Sequence, residues 1–177
     1  MTLIGNIVGI AAVVLYILSY QMKNRMGIIL CNALSRVLYV TQYLLLAAFE
    51  GALLDVVAFF VSLLCCLRYS KFVKKHFVLT LVLCNIGIFA IGMLTYKNIF
   101  SLLPIFGVMF ETLAFWLKNE RNIRIISLLG APPWLAYNLM NLAYGSAIGN
   151  VIAMVSIIIA IVRYDILGQK RKVNPRG

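Results

Sequence analysis

Residues 43–58 read YLLLAAFEGALLDVVA, and residues 138–153 read NLMNLAYGSAIGNVIA. Laid over one another at a shift of 95 with no gap, they sit inside a longer correspondence of residues 20–69 with 115–164. Eleven of those fifty positions are identical, and polar residues keep register at both ends: Lys23 with Lys118, Asn24 with Asn119, Arg68 with Arg163. Apolar composition inflates such a count, so the polar register carries the weight. The chain reads as one unit built twice.

That unit is too apolar for water. The 177 residues are 63% hydrophobic and 12% charged, more apolar surface than a soluble domain of this length hides. Apolar runs of about 20 residues, each long enough to cross a ~30 Å hydrocarbon core, recur along the chain. Seven spans are expected, at residues 3–21, 27–48, 51–68, 77–95, 98–117, 123–143 and 147–164. The start, Met-Thr-Leu-Ile-Gly, lacks the basic opening and small-residue cleavage site of a signal peptide, so the first run counts as a span. Short connections make neighbouring spans antiparallel. The repeat then divides the chain into a three-helix unit (1–69), a linker span (70–96), a second three-helix unit (97–166) and a basic tail (167–177). An odd linker leaves both units in the same orientation about an axis along the membrane normal. The expected fold is all-α and polytopic, in a 3+1+3 arrangement.

The cations set the direction. Fourteen of the sixteen Lys and Arg residues follow the first, third, fifth and seventh spans; Lys97 lies at the other side and Arg36 within a span. By the positive-inside rule the N-terminus is outside and the C-terminus cytoplasmic. The net charge of +11 is thus mainly a topology signal and an attraction to anionic headgroups. A nucleic-acid partner would need a folded basic surface, which the pattern lacks.

Ionisable residues inside the bilayer are costly and face protein or water, so each is a functional candidate. They are Arg36, Asp55 and Glu111. Asn32, Arg36, Tyr39 and Tyr43 advance by four, three and four residues and share one helical face. Their counterparts at a shift of 95, Ser127, Ala131, Trp134 and Asn138, do the same. Asp55 superimposes on Asn150, sixteen residues after Tyr39 and Trp134 respectively. Arg36 with Asp55 reads equally as a structural ion pair or as pocket lining. Glu111, in the cytoplasmic half of its span, is expected to snorkel or to pair with Lys118. Pro132-Pro133 removes two backbone donors and is expected to kink or break the sixth span.

The segments FSLLPIFGVMFETLAFWLKN (100–119) and WLAYNLMNLAYGSAIGNVIAMVSIIIAIVRY (134–164) resemble the YgjV-type bacterial inner-membrane proteins. The 3+1+3 plan is similar to the SWEET/PQ-loop (MtN3-like) transporter class. The resemblance implies a bacterial plasma-membrane location and small-solute transport. Carried over, it implies a pocket of Tyr39, Asp55, Trp134 and Asn150, to which the polar stripes add Asn32, Arg36 and Asn138. It also implies proline hinges, here Pro104, Pro132 and Pro133. The first half has no proline, and Ser19-Tyr20-Gln21 stands where that class has its PQ motif, so the two halves are not expected to bend alike.

Other residues read more plainly. Cys31, Cys65, Cys66 and Cys84 lie in apolar runs as small hydrophobes; Tyr20, Tyr69, Trp116 and Tyr164 are expected as interfacial belt aromatics. Gly5 with Gly9 and Gly145 with Gly149 permit close helix packing, and His76 is a loop residue. No histidine, paired-carboxylate or metal-ligand constellation points to an enzyme. The expectation is a carrier of a small polar solute (sugar, nucleoside or vitamin-like) working by alternating access, with proton coupling through Asp55 open. It needs no cofactor or metal, and a homo-oligomer stays open. The rival is a structural or regulatory membrane protein with its polar residues as helix glue.

Overall fold

The computed structural model describes residues 2–167; the tail residues 168–177, with four of the counted cations, lie outside the described residues. The described chain is all-helical. Its α-helices are α1 (Thr2–Gln21), α2 (Arg25–Leu45), α3 (Phe49–Cys66), the short α4 (Lys71–Lys75), α5 (Phe77–Leu94), α6 (Leu102–Phe115), α7 (Glu120–Met140) and α8 (Tyr144–Ala160). A π-helical turn, Ile161–Ile166, prolongs α8. Asn24 and Asn119 cap α2 and α7, their side chains accepting from the Gly27 and Arg121 N–H groups, so the register pair seen in the sequence starts two helices.

Long helices lie close to all seven expected spans. Five of them, Leu3–Gln21, Arg25–Leu45, Phe49–Tyr69, Phe77–Leu94 and Tyr144–Ile166, are long and apolar enough to cross a membrane. The other two fall short for local reasons. The Ile99–Phe115 helix is shorter, its first turn wound as a 3-10 helix over Ile99–Ser101. In α7, apolar residues are diluted by a buried polar stripe that includes Arg124, Ser127 and Asn138.

α1 packs on α2 and α8, α2 on α3, α3 on α6, α6 on α7, and α7 on α8. α5 leans on α3 and α6 and buries only Ile88 and Gly92. Small residues let the backbones close up: Gly149 lies against Val13, and a Cβ on Gly130 would sit 3.0 Å from the Gly107 carbonyl oxygen. The turns from α2 to α3 and from α7 to α8 are built alike. Ala47 and Leu142 both adopt positive φ, 56° and 55°. The Ala48 and Ala143 N–H groups each donate at 2.9 Å to the carbonyl five residues back, on Tyr43 and Asn138.

One sequence expectation fails on backbone grounds. α7 runs unbroken through Pro132-Pro133. The prolines deprive the Leu128 and Leu129 carbonyls of their usual partners. With its amide oriented so that donor meets acceptor, Asn150 Oδ1 accepts from the Leu135 N–H at 3.0 Å. Pro104 is the third residue of α6, just after the 3-10 turn Ile99–Ser101.

Candidate functional site

The polar stripes of α2 and α7 face inward and meet side chains from α1, α3, α6 and α8 around a small internal cavity. Tyr16, Asn32, Ser35, Arg36, Tyr39, Tyr43, Asp55, Glu111, Trp134, Asn138 and Asn150 line it. All seven residues singled out in the sequence as binding candidates are therefore brought together, with Tyr16, Ser35, Tyr43 and Glu111 added. The cavity measures about 30 Å³, room for a water or two and far below the ~300 Å³ at which small-molecule pockets begin.

At its centre Arg36 bridges two carboxylates. Its Nη1 donates to Asp55 Oδ1 at 2.5 Å, its Nη2 to Glu111 Oε2, and its Nε to Asn32 Oδ1 at 3.1 Å. Tyr16 donates to Glu111 Oε1 at 2.7 Å, and Tyr20 donates to the Tyr16 hydroxyl at 3.3 Å. All three charged groups are at most 3% exposed, so none is screened by water. With both carboxylates ionised the cluster carries one negative charge in excess. A proton or a cationic group entering the cavity would neutralise it. Asn32 keeps one buried donor, Nδ2, without a partner.

Glu111 corrects the sequence reading: it neither snorkels nor pairs with Lys118 but faces the cavity, because α6 packs against α7 and turns this face inward. The burial of Tyr20 and Trp116, 0% and 1% exposed, likewise overturns their reading as belt aromatics. Asn150 lines the cavity, yet its amide is engaged with the Leu135 N–H and the Ser146 carbonyl.

An aromatic wall completes the site. Trp134 stacks on Tyr43 with centroids 6.0 Å apart and planes 13° from parallel, and Tyr43 stacks on Tyr39 at 6.2 Å. Tyr43 donates to Asn138 Oδ1 at 2.7 Å. Gly107 makes room for the indole, since a Cβ there would lie 2.6 Å from Trp134 Cδ1 and 2.7 Å from Nε1. Gly107→Ala is expected to lower stability by ~1–3 kcal/mol through overpacking, read as a lower thermal midpoint of the purified protein. An unchanged midpoint would mean the indole is free to move aside.

Two further arginines, counted in the sequence only as loop cations, tie the helix ends together. Arg25 donates from Nε to the Leu117 carbonyl at 2.9 Å and from Nη2 to the Phe115 and Cys65 carbonyls at 2.6 and 2.9 Å. Arg124 donates from Nε to the Tyr20 carbonyl at 3.2 Å and from Nη2 to the Met22 carbonyl at 2.9 Å. Its Nη1 also holds both oxygens of Asp165, at 2.8 and 3.0 Å. Arg25 lies over the Tyr69 ring and Arg124 over the Tyr164 ring, at 5.6 and 5.3 Å. Each guanidinium satisfies last-turn carbonyls that the helix itself leaves open. Among the described residues no group of three or more His, Cys, Asp or Glu side chains could hold a metal ion.

An all-helical chain with five apolar helices of membrane-crossing length and a charged cluster buried among them is an integral membrane protein. A family model described as "Imp-YgjV: Bacterial inner membrane protein" matches residues 3–167, and the chain belongs to that family. It is therefore a protein of the bacterial inner membrane with several membrane-spanning helices. No curated protein and no solved structure matches it.

Proposed function

We propose that the protein is a carrier of a small polar solute, not an enzyme. It works by alternating access between two three-helix units joined by α5, with the N-terminus outside and seven spans in all. One observation carries this reading: the contacts across the bundle follow the 95-residue shift. Tyr16 bonds Glu111 and Tyr43 bonds Asn138, and each pair is 95 residues apart. A residue that touches its own repeat counterpart lies on the axis relating the two units. Off the axis the contacts come in matched pairs. Ser146 Oγ donates to Gln42 Oε1 at 2.5 Å, while the counterpart positions, 51 and 137, are joined by Gly51 N–H donating to the Tyr137 hydroxyl at 2.9 Å. The carbonyls at 20 and 22 and their counterparts at 115 and 117 are each held by an arginine, Arg124 and Arg25, although these two are not themselves counterparts. A charged, aromatic-lined cavity on such an axis is where a repeat-built carrier binds its solute.

The small cavity then represents an occluded state that widens when the units rock apart. The excess negative charge favours a cationic solute or a coupled proton. The same small volume, with Arg36 fully engaged, favours the rival reading of a structural protein whose polar residues are helix glue.

Melting the purified protein against sugars, nucleosides, amines and vitamin-like compounds separates the two. A carrier gains stability from one class, and Trp134→Ala weakens that binding about tenfold through the lost aromatic face. In proteoliposomes, uptake of that compound is expected to be faster when the outside is acidic, and Asp55→Asn to lose this dependence. Uptake equally pH-dependent in the Asn variant would remove Asp55 from the coupling, and a screen without any stabilising compound would favour helix glue.

A further inference from the structure

A second cavity lies where the α1–α2 loop, the start of α7 and the π-helical end of α8 converge. It measures about 330 Å³, and its mainly polar walls include Lys23, Asn119, Arg121, Arg124, Tyr164 and Asp165. We propose that it is a binding site for the phosphate headgroup of an anionic phospholipid from the cytoplasmic leaflet.

The charges around this cavity do not balance. Asp165 is spent on Arg124, which also donates to the Tyr20 and Met22 carbonyls. Lys23 and Arg121 are left, both exposed and neither in an ion pair among the described residues. Against them the wall offers a single further acid, Glu120. The cavity therefore holds one uncompensated positive charge in a space large enough for a phosphodiester headgroup. Such basic recesses between helices at the cytoplasmic surface suit anionic headgroups. A lipid fits better than free phosphate, because Val162, Ile166 and Leu167 in the same stretch of chain are exposed apolar side chains against which acyl chains can lie. The leaflet assignment rests on the orientation proposed above; the binding itself does not.

Native mass spectrometry of the full chain, released from detergent with added phosphatidylglycerol or phosphatidylethanolamine, tests it. One phosphatidylglycerol is expected to stay bound per chain, in preference to phosphatidylethanolamine. In the double variant Lys23→Gln, Arg121→Gln its apparent affinity falls by roughly thirtyfold, as expected for two cations at an anionic surface. The control Lys74→Gln, Lys75→Gln, which removes two exposed cations on α4, keeps the bound lipid. Equal loss in the control would reduce the effect to general surface charge and overturn the site. Equal retention of the two lipids would also overturn it. A thermal shift with inorganic phosphate matching that with phosphatidylglycerol would overturn the lipid as its occupant. None of these readouts depends on transport or sidedness, so a failed carrier reading leaves this site standing and a failed site leaves the carrier reading standing.

Discussion

Arg36→Leu is expected to yield little or no folded protein. The substitution leaves Asp55 and Glu111, both buried, without the guanidinium that bridges them. Breaking one buried pair by removing a partner costs about 3–5 kcal/mol, and here two carboxylates lose their partner at once. That is comparable with the ~5–15 kcal/mol net stability of a typical domain. Removing all the charges together is a different matter. Arg36→Met with Asp55→Asn and Glu111→Gln leaves no stranded charge and is expected to recover most of the folded yield. The triple variant therefore separates folding from function: it should fold, and it should no longer respond to the compound that stabilises the native protein. A single Arg36→Leu variant as stable as the parent would show that the cluster is not paired in the membrane.

Arg124→Met is expected to be nearly as damaging, and more so than Arg25→Met. Arg124 is 1% exposed and answers both a carboxylate and two backbone carbonyls. Its loss strands Asp165 at a cost of about 3–5 kcal/mol. Arg25 answers carbonyls alone, so removing it leaves unsatisfied acceptors at about 1–3 kcal/mol each and no stranded charge. Thermal midpoints of the two purified variants should rank accordingly, and adding Asp165→Asn to Arg124→Met should recover part of the difference. Equal midpoints for the two single variants would mean that Asp165 gains nothing from Arg124.

The helices were legible because a membrane span announces itself by length and apolar content, and the seven long helices lie within a few residues of the expected spans. The cavity was legible in part for a related reason. Polar residues in an apolar helix have one place to go, so the Asn32, Arg36, Tyr39, Tyr43 stripe pointed inward. Glu111 was a functional candidate but was placed toward Lys118, because its counterpart at a shift of 95 is Tyr16 and the two look unrelated until they are seen bonded across the bundle. Arg25 and Arg124 were hidden by the topology pattern, which counts cations near span ends without asking which are buried. The position of Arg124 a turn inside α7, with Asp165 as the lone acid near the end of the last span, was the available signal. The proline pair misled because two missing donors leave the Leu128 and Leu129 carbonyls open without obliging α7 to break.

The carrier reading stands on a midplane cavity that opens to water in turn on each side. Single cysteines at Tyr39, Trp134 and Asn150, in a background with Cys31, Cys65, Cys66 and Cys84 replaced, test this in oriented membrane vesicles. Loop positions serve as reactive controls. The account predicts slow but measurable labelling by membrane-impermeant thiol reagents from both faces, with the rates changed by the stabilising compound. Cysteines that stay unreactive from both faces while the loop controls label would contradict it and leave the cluster as helix glue.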